Sequence, residues 1–274
     1  MKPFILSIAS VLAAVSLTGC NDVDESKRFE GPLAFEAQKN VLVEDFTGQS
    51  CTNCPKAADA LHEMQQVYGA SRLVAVSIHG GSLSLDQDLV GIRGLATPQG
   101  NDYVSHWGVQ AFPMGLVDRQ GGLLDYEKWN AAALSRFSLA PKVSLDIKEA
   151  KYDAASKSVT VKVSVEGNES VSGELNVWLT ESNITAIQRM PEGNYNTSYV
   201  HNHVFRAAVS APYGDGFSVA ADEKKECEYT YTVTRTDWDT TNLSAVVFFV
   251  TAADGVTQVV DAKVEAATSV EGAR

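Results

Sequence analysis

Cys51-Thr52-Asn53-Cys54 is the spacing in this chain with the most chemistry to offer. Two cysteines three apart can close a small disulfide ring, and a helix N-terminus beside them favours the thiolate needed to open it. The pair follows an apolar stretch, Val41-Leu42-Val43, and opens a helical pattern of Ala57, Leu61, Met64 and Tyr68 that stops at Gly69. Cys51 is therefore expected to stand exposed as the attacking or first-attacked sulfur, with Cys54 one turn in as the resolving thiol. Asp45 lies six residues before Cys51, inside the predicted strand Val41–Phe46. A carboxyl buried there would have a raised pKa and suit proton transfer. The other possibility is that Asp45 or Glu44 simply faces water.

Val43-Glu44-Asp45-Phe46 followed by the cysteine motif resembles the thioredoxins, where an acid at this offset helps move a proton off the second cysteine. Trp107-Gly108-Val109-Gln110-Ala111-Phe112-Pro113 resembles the thioredoxin segment in which a cis-proline faces the disulfide. The resemblance assigns Pro113 to the active site and Phe112 to the groove that receives an extended substrate. A turn at Asp118-Arg119-Gln120-Gly121-Gly122 and a helix face of Tyr126, Trp129, Ala133, Leu134 and Phe137 complete the thioredoxin order of elements. Ser50 and the Thr52-Asn53 core depart from the usual residues, so neither oxidant nor reductant is favoured. Pro55 is tolerable because the helix is still in its first turn.

The elements that must hold this site fall into two regimes. Residues 1–19 read as a lipoprotein signal peptide: Lys2, an apolar run from Phe4 to Leu17, then Leu17-Thr18-Gly19-Cys20. The last four resemble the bacterial lipobox, which implies cleavage before Cys20 and lipidation of its sulfur. Residues 20–39 form an acidic tether, and 40–140 alternate strands with helices as a thioredoxin-like α/β domain. Beyond Pro141 the period is two, as in Val159/Val161/Val163/Val165 and Val246/Phe248/Val250, with a hairpin at Asp254-Gly255. Residues 141–266 are accordingly expected to form an all-β sandwich of immunoglobulin type, with 267–274 a tail. The fold class expected is thus an α/β thioredoxin-like domain followed by an immunoglobulin-like sandwich.

The net charge is -12, one more negative once Lys2 leaves with the leader, and no basic run exists to hold a phosphate backbone. Nucleic acid is excluded as a partner and no cofactor is expected. The implied partners are a membrane, through the lipid on Cys20, and protein or peptide thiols.

The lipobox, the segment Glu44-Asp45-Phe46-Thr47-Gly48-Gln49 leading to the cysteines, Val76-Ser77-Ile78-His79, and Tyr199 to Arg206 together resemble a Bacteroidetes group. These are the twenty-eight-kilodalton outer-membrane-protein-related lipoproteins. The resemblance implies an outer-membrane location, on the periplasmic or the cell-surface face, and no established activity.

His201-Asn202-His203 would put two imidazoles on one strand face, a spacing a metal can use, although no third ligand is evident by spacing. Cys227 alternates with Tyr229 and Tyr231 and reads as a small core residue. Two functions remain open. One is thiol–disulfide exchange on envelope protein thiols. The other is a surface binding or adhesion lipoprotein in which the Cys51–Cys54 disulfide is structural. Exposure of the Cys51 sulfur separates them, because a buried sulfur closes the first route.

Overall fold

The structure is a computed structural model, and it describes residues 38–267. The leader 1–19, Cys20, nearly all of the tether and the tail from residue 268 lie outside the described residues.

Strands β1 (Val41–Thr47) and β2 (Leu73–His79) run parallel, with Asp45 opposite Ser77 and Thr47 opposite His79. Every residue of both is buried. Unbroken burial of this kind requires cover on both faces of the sheet. Helix α1 (Cys54–Tyr68) crosses between the two strands and packs on β2. Helix α2 (Pro98–His106) begins at Thr97, whose hydroxyl caps the Gly100 amide at 2.9 Å. Strand β3 (Met114–Val117) pairs antiparallel with β1, β4 (Gln120–Leu124) pairs with β3, and helix α3 (Trp129–Phe137) packs against β1 and β3.

Eleven strands follow in the described residues: β5 (Val143–Asp153), β6 (Ser158–Gly167), β7 (Val171–Glu181), β8 (Ile184–Arg189), β9 (Tyr195–His201), β10 (Val204–Ala208), β11 (Asp215–Val219), β12 (Lys224–Thr232), β13 (Leu243–Thr251), β14 (Gly255–Lys263) and β15 (Glu265–Ala266). The β13–β14 hairpin turns at Asp254-Gly255, where Gly255 takes φ 68°.

The expected fold class is corrected by the way these strands join. A nine-stranded sheet runs β14-β13-β7-β10-β2-β1-β3-β4, with β11 also paired to β7. Strand β10 is the splice: it pairs antiparallel with β7 and parallel with β2, Val204 opposite Ser77. The strands of 40–140 are therefore one flank of a large sheet, and no separate thioredoxin-like α/β domain stands beside an independent immunoglobulin-like sandwich. The chain builds a predominantly β structure. Its second layer is a four-stranded sheet, β12-β6-β5-β15.

The core explains the arrangement. Leu175, Val177 and Leu179 of β7 and Ala245, Val247 and Phe249 of β13 face Val159, Val161, Val163 and Val165 of β6, filling the space between the layers. The alternate residues Trp178, Val246 and Phe248 join Phe46, Val76, Ile78 and Tyr103 on the other face. Both faces of the long sheet are thus buried, which is why β13 reads Val246-Val247-Phe248-Phe249-Val250 without a polar break. The period-two signal identifies strands but cannot say which distant edge each will join.

Candidate functional site

Asn53 caps α1 without a side-chain hydrogen bond, and no acid stands in the first turn. The amide of Cys54 instead donates to the Cys51 sulfur at 3.1 Å. The two cysteines form a disulfide with Cα atoms 5.5 Å apart. This places the sulfurs at the positive end of the helix, as the sequence predicts.

Their exposure differs from expectation. Cys51 is 2% exposed and Cys54 3% exposed. The loop that leads to the cysteines is bonded by the hairpin β8–β9, which belongs to the half of the chain read as a separate sandwich. The side-chain amide of Gln188 on β8 donates to the carbonyls of Cys51 (2.9 Å), Gly48 (3.3 Å) and Arg189 (3.0 Å). The Arg189 amide donates to the Gln49 carbonyl at 2.7 Å, and the Gln49 side chain donates to the Ile187 carbonyl at 3.1 Å. Gln188 and Gln49 are both buried. The long segment after β2 packs on the same loop: the Ser50 amide donates to the Leu83 carbonyl at 2.8 Å, and the Gln49 side chain donates to the Arg93 carbonyl and accepts from the Leu95 amide, both at 2.9 Å.

Asp45 is 1% exposed, and its Oδ1 has no hydrogen-bond partner. Burial pushes its carboxyl up to about 8. The adjacent Glu44 is equally buried but points to the opposite face, where Arg119 grips it through Nε and Nη2, both at 2.8 Å. Strand alternation thus gives two neighbouring acids opposite fates: one paired, one orphaned.

The orphaned acid opens on a cavity of about 360 Å³ between α1 and the C-terminal ends of β1 and β2. Cys54 lines it, as do Asp45, His79, His201 and His203, while Cys51, Phe112 and Pro113 do not. His79 and His201 meet edge-on with ring centroids 5.3 Å apart, and Tyr199 packs on His201 at 4.8 Å. Burial drives His79 well below the ordinary imidazole value, helped by His201 and Arg206 nearby, and brings His201 down to about 4. Both rings are neutral at pH 7.

The remaining site residues fall as follows. The Phe112-Pro113 bond is cis and Pro113 is buried. Phe112 is half-buried, belongs to the core around Tyr103, and sits against Gly81, where a Cβ would come within 2.9 Å of its ring. The expected metal pair is broken up: His201 ends β9, whereas His203 lies in the turn to β10 at φ 55°, so the imidazoles do not share a strand face. Among the described residues no group of three His, Cys, Asp or Glu is placed to hold a metal ion. Cys227 is half-buried on β12.

Sequence reasoning missed Gln188 and His62, which also line the cavity. His79 carried a signal through the Val76–His79 segment of the family resemblance, and spacing alone did not join it to His201. Asp118, read only as part of a turn, is a buried anchor that accepts from the Leu42 amide and pairs with Lys39 and Arg136.

A family model described as outer membrane protein Omp28 matches residues 100–268, more than half of the chain. The chain belongs to the Omp28 family. It is thus an outer-membrane protein, and Cys51 and Cys54 lie ahead of the matched residues. Among the described residues no helix is long and apolar enough to cross a membrane. No curated protein matches the sequence of this Omp28-family chain. Among solved structures it is similar to HBP35 of Porphyromonas gingivalis, with 14% identity and a TM-score of 0.66 over 86% of this chain and 79% of that one. At that identity the likeness is one of fold, and it runs across both halves of the chain. Overlays on β-glucosidases from Kluyveromyces marxianus (15% identity, TM-score 0.26, 46% of this chain and 14% of that one) and Listeria innocua (14%, 0.24, 46% and 16%) carry no argument.

Proposed function

We propose that this Omp28-family protein is a lipid-anchored binding protein of the outer membrane in which the Cys51–Cys54 disulfide is a structural staple. The carrying observation is the 2% exposure of Cys51. A partner protein's thiolate needs a direct line to the sulfur it attacks, and a residue 2% exposed offers none. The staple holds the loop from Gly48 to Cys54 against β8, which forms one wall of the cavity. Leu17-Thr18-Gly19-Cys20 supports attachment through a lipid on Cys20. Acylation is tested by metabolic labelling, with Cys20→Ser expected to abolish it.

One observation favours thiol–disulfide exchange instead. Asp45 is a buried, unpartnered acid on the cavity that Cys54 lines, and a staple has no need of one. In that reading an incoming thiolate attacks one sulfur, the S–S bond breaks, and the other sulfur leaves as a thiolate that takes the Asp45 proton.

The reduction potential of the full mature chain decides between them, with insulin reduction measured alongside and Cys51→Ser as control. A potential below about -300 mV with no turnover supports the staple, because structural disulfides lie there. A higher potential with turnover lost in Cys51→Ser establishes exchange.

A further inference from the structure

Residues 80–97 join β2 to α2 in a loop whose base is pinned. The Leu95 and Ala96 amides both donate to the Leu85 carbonyl at 2.9 Å, and the Gln87 amide donates to the Ala96 carbonyl at 3.0 Å. The two limbs meet this closely because Gly94 has no side chain, and a Cβ there would collide with the Asp86 carbonyl. Ion pairs fix the base to the body, Asp88 to Arg235 and Arg93 to Glu181 of β7. Arg235 also donates to the Gln87 carbonyl at 3.0 Å, and Arg93 to the Asp237 carbonyl at 2.6 Å.

What this frame holds out is aliphatic. Leu89 and Ile92 are each 45% exposed and Val90 is 95% exposed, with Gly91 turning between them at φ 82°. Leu95, three residues beyond Ile92, is fully buried with Ile184 and Val204, so the fold hides an apolar residue of the same segment where it can. Val67, Leu134, Leu139 and Val200 are also exposed, but they are scattered along the chain, as is ordinary for a protein surface. Three aliphatic side chains within four residues, on a long and pinned loop, call for a partner.

The chemistry of the tip selects that partner. Protein contacts concentrate their energy in tryptophan, tyrosine and arginine. The tip carries none of these, and the two arginines at its base are already held by carboxylates. Val90 projects clear of the body, a shape suited to a soft apolar medium. As an outer-membrane protein, the chain has a lipid surface for a neighbour. With a lipid on Cys20, residues 20–37 would keep the body within about 60 Å of that surface. We infer that the tip Leu89-Val90-Gly91-Ile92 enters the interfacial layer of a lipid bilayer and gives the body a membrane contact of its own. This goes beyond the function proposed above. It rests on the outer-membrane location and requires neither the lipid on Cys20 nor the staple, so either can fail without the other.

The test is flotation of the full mature chain with phosphatidylcholine vesicles, using Cys20→Ser so that no acyl group contributes. Partition that survives high salt is expected, because the contact is apolar and the headgroup is zwitterionic. Val90→Asp should weaken it about tenfold, since a charge replaces a side chain that the bilayer would bury. Val67→Asp, the same change at another exposed valine, on α1, should leave it unchanged. Val90→Trp should strengthen it, because an indole favours the membrane interface. Val90 is so exposed that neither change at this position should disturb the fold. Absence of flotation at millimolar lipid, binding lost in high salt, or equal effects of Val67→Asp and Val90→Asp overturns the inference. Self-association that Val90→Asp abolishes, without flotation, would assign the tip to a contact between copies and overturn it as well.

Discussion

Gln188 donates its side-chain amide to the Cys51 carbonyl at 2.9 Å, tying a strand of the second half of the chain to the disulfide loop of the first. The same amide reaches the Gly48 carbonyl at 3.3 Å, so a single side chain holds both ends of the turn that precedes the helix. Gln188→Ala should leave the Cys51 carbonyl without this donor, while the Gly48 carbonyl keeps the Cys51 amide, and should loosen the hairpin from the disulfide loop. The expected outcome is disulfide reduction by dithiothreitol several-fold faster than in the native protein, followed by alkylation and gel shift. An unchanged rate would mean that other contacts hold the cover in place.

Asp45 makes a prediction with a definite sign. Its folded-state pKa of about 8 lies above the ordinary carboxylate value of 3.8. Between those values the folded chain keeps a proton that the unfolded chain has released. Stability therefore falls as pH rises from about 4 toward 8 through this group, and levels off above. Asp45→Asn should remove that fall and be more stable than the native protein at pH 7, with little difference near pH 4. Urea denaturation at a series of pH values checks it.

The imidazoles should act in the opposite direction. His201 is lowered to about 4 from the ordinary 6.5, and His79 is lowered well below it. Below pH 6.5 the unfolded chain takes up protons that the folded chain refuses, so stability is lost as pH falls through this window. His201→Gln should make the acid side of the stability profile shallower. Repeating the pH series on the Asp45→Asn background separates the two contributions.

Asp118 should be among the costliest single changes in the protein. Its carboxylate accepts from Lys39 Nζ at 2.6 Å, Arg136 Nε at 3.0 Å and the Leu42 amide at 2.9 Å, all with the acid fully buried. Asp118→Ala strands two cations and is expected to cost about 3–5 kcal/mol, the usual penalty for breaking a buried ion pair. Comparison of urea midpoints and m-values with the native protein provides the measurement.

What the sequence reveals of this fold is local. The helix after Cys54, the turn at Asp254-Gly255 and the alternating strands β6 and β13 are legible because period, caps and turn residues are short-range signals. The partnership of β10 with β2 is not, because Val204-Phe205-Arg206-Ala207-Ala208 says only that it is buried, never whose edge it will meet. The site divides in the same way. The offset of Asp45 from Cys51 suggests a buried acid, and the acid is buried. The Cys51 loop is bonded by Gln188, an ordinary polar residue in an unremarkable stretch, and His201 and His203 part company at a left-handed turn that their spacing does not reveal.

The splice at β10 also bears on how the chain is made. Residues 73–79 are synthesised long before 204–208, so one edge of β2 has no partner until most of the chain has emerged. An open, apolar strand edge invites pairing with other molecules. The folding chain therefore passes through a vulnerable interval whose length is set by the sequence between Ser77 and Val204.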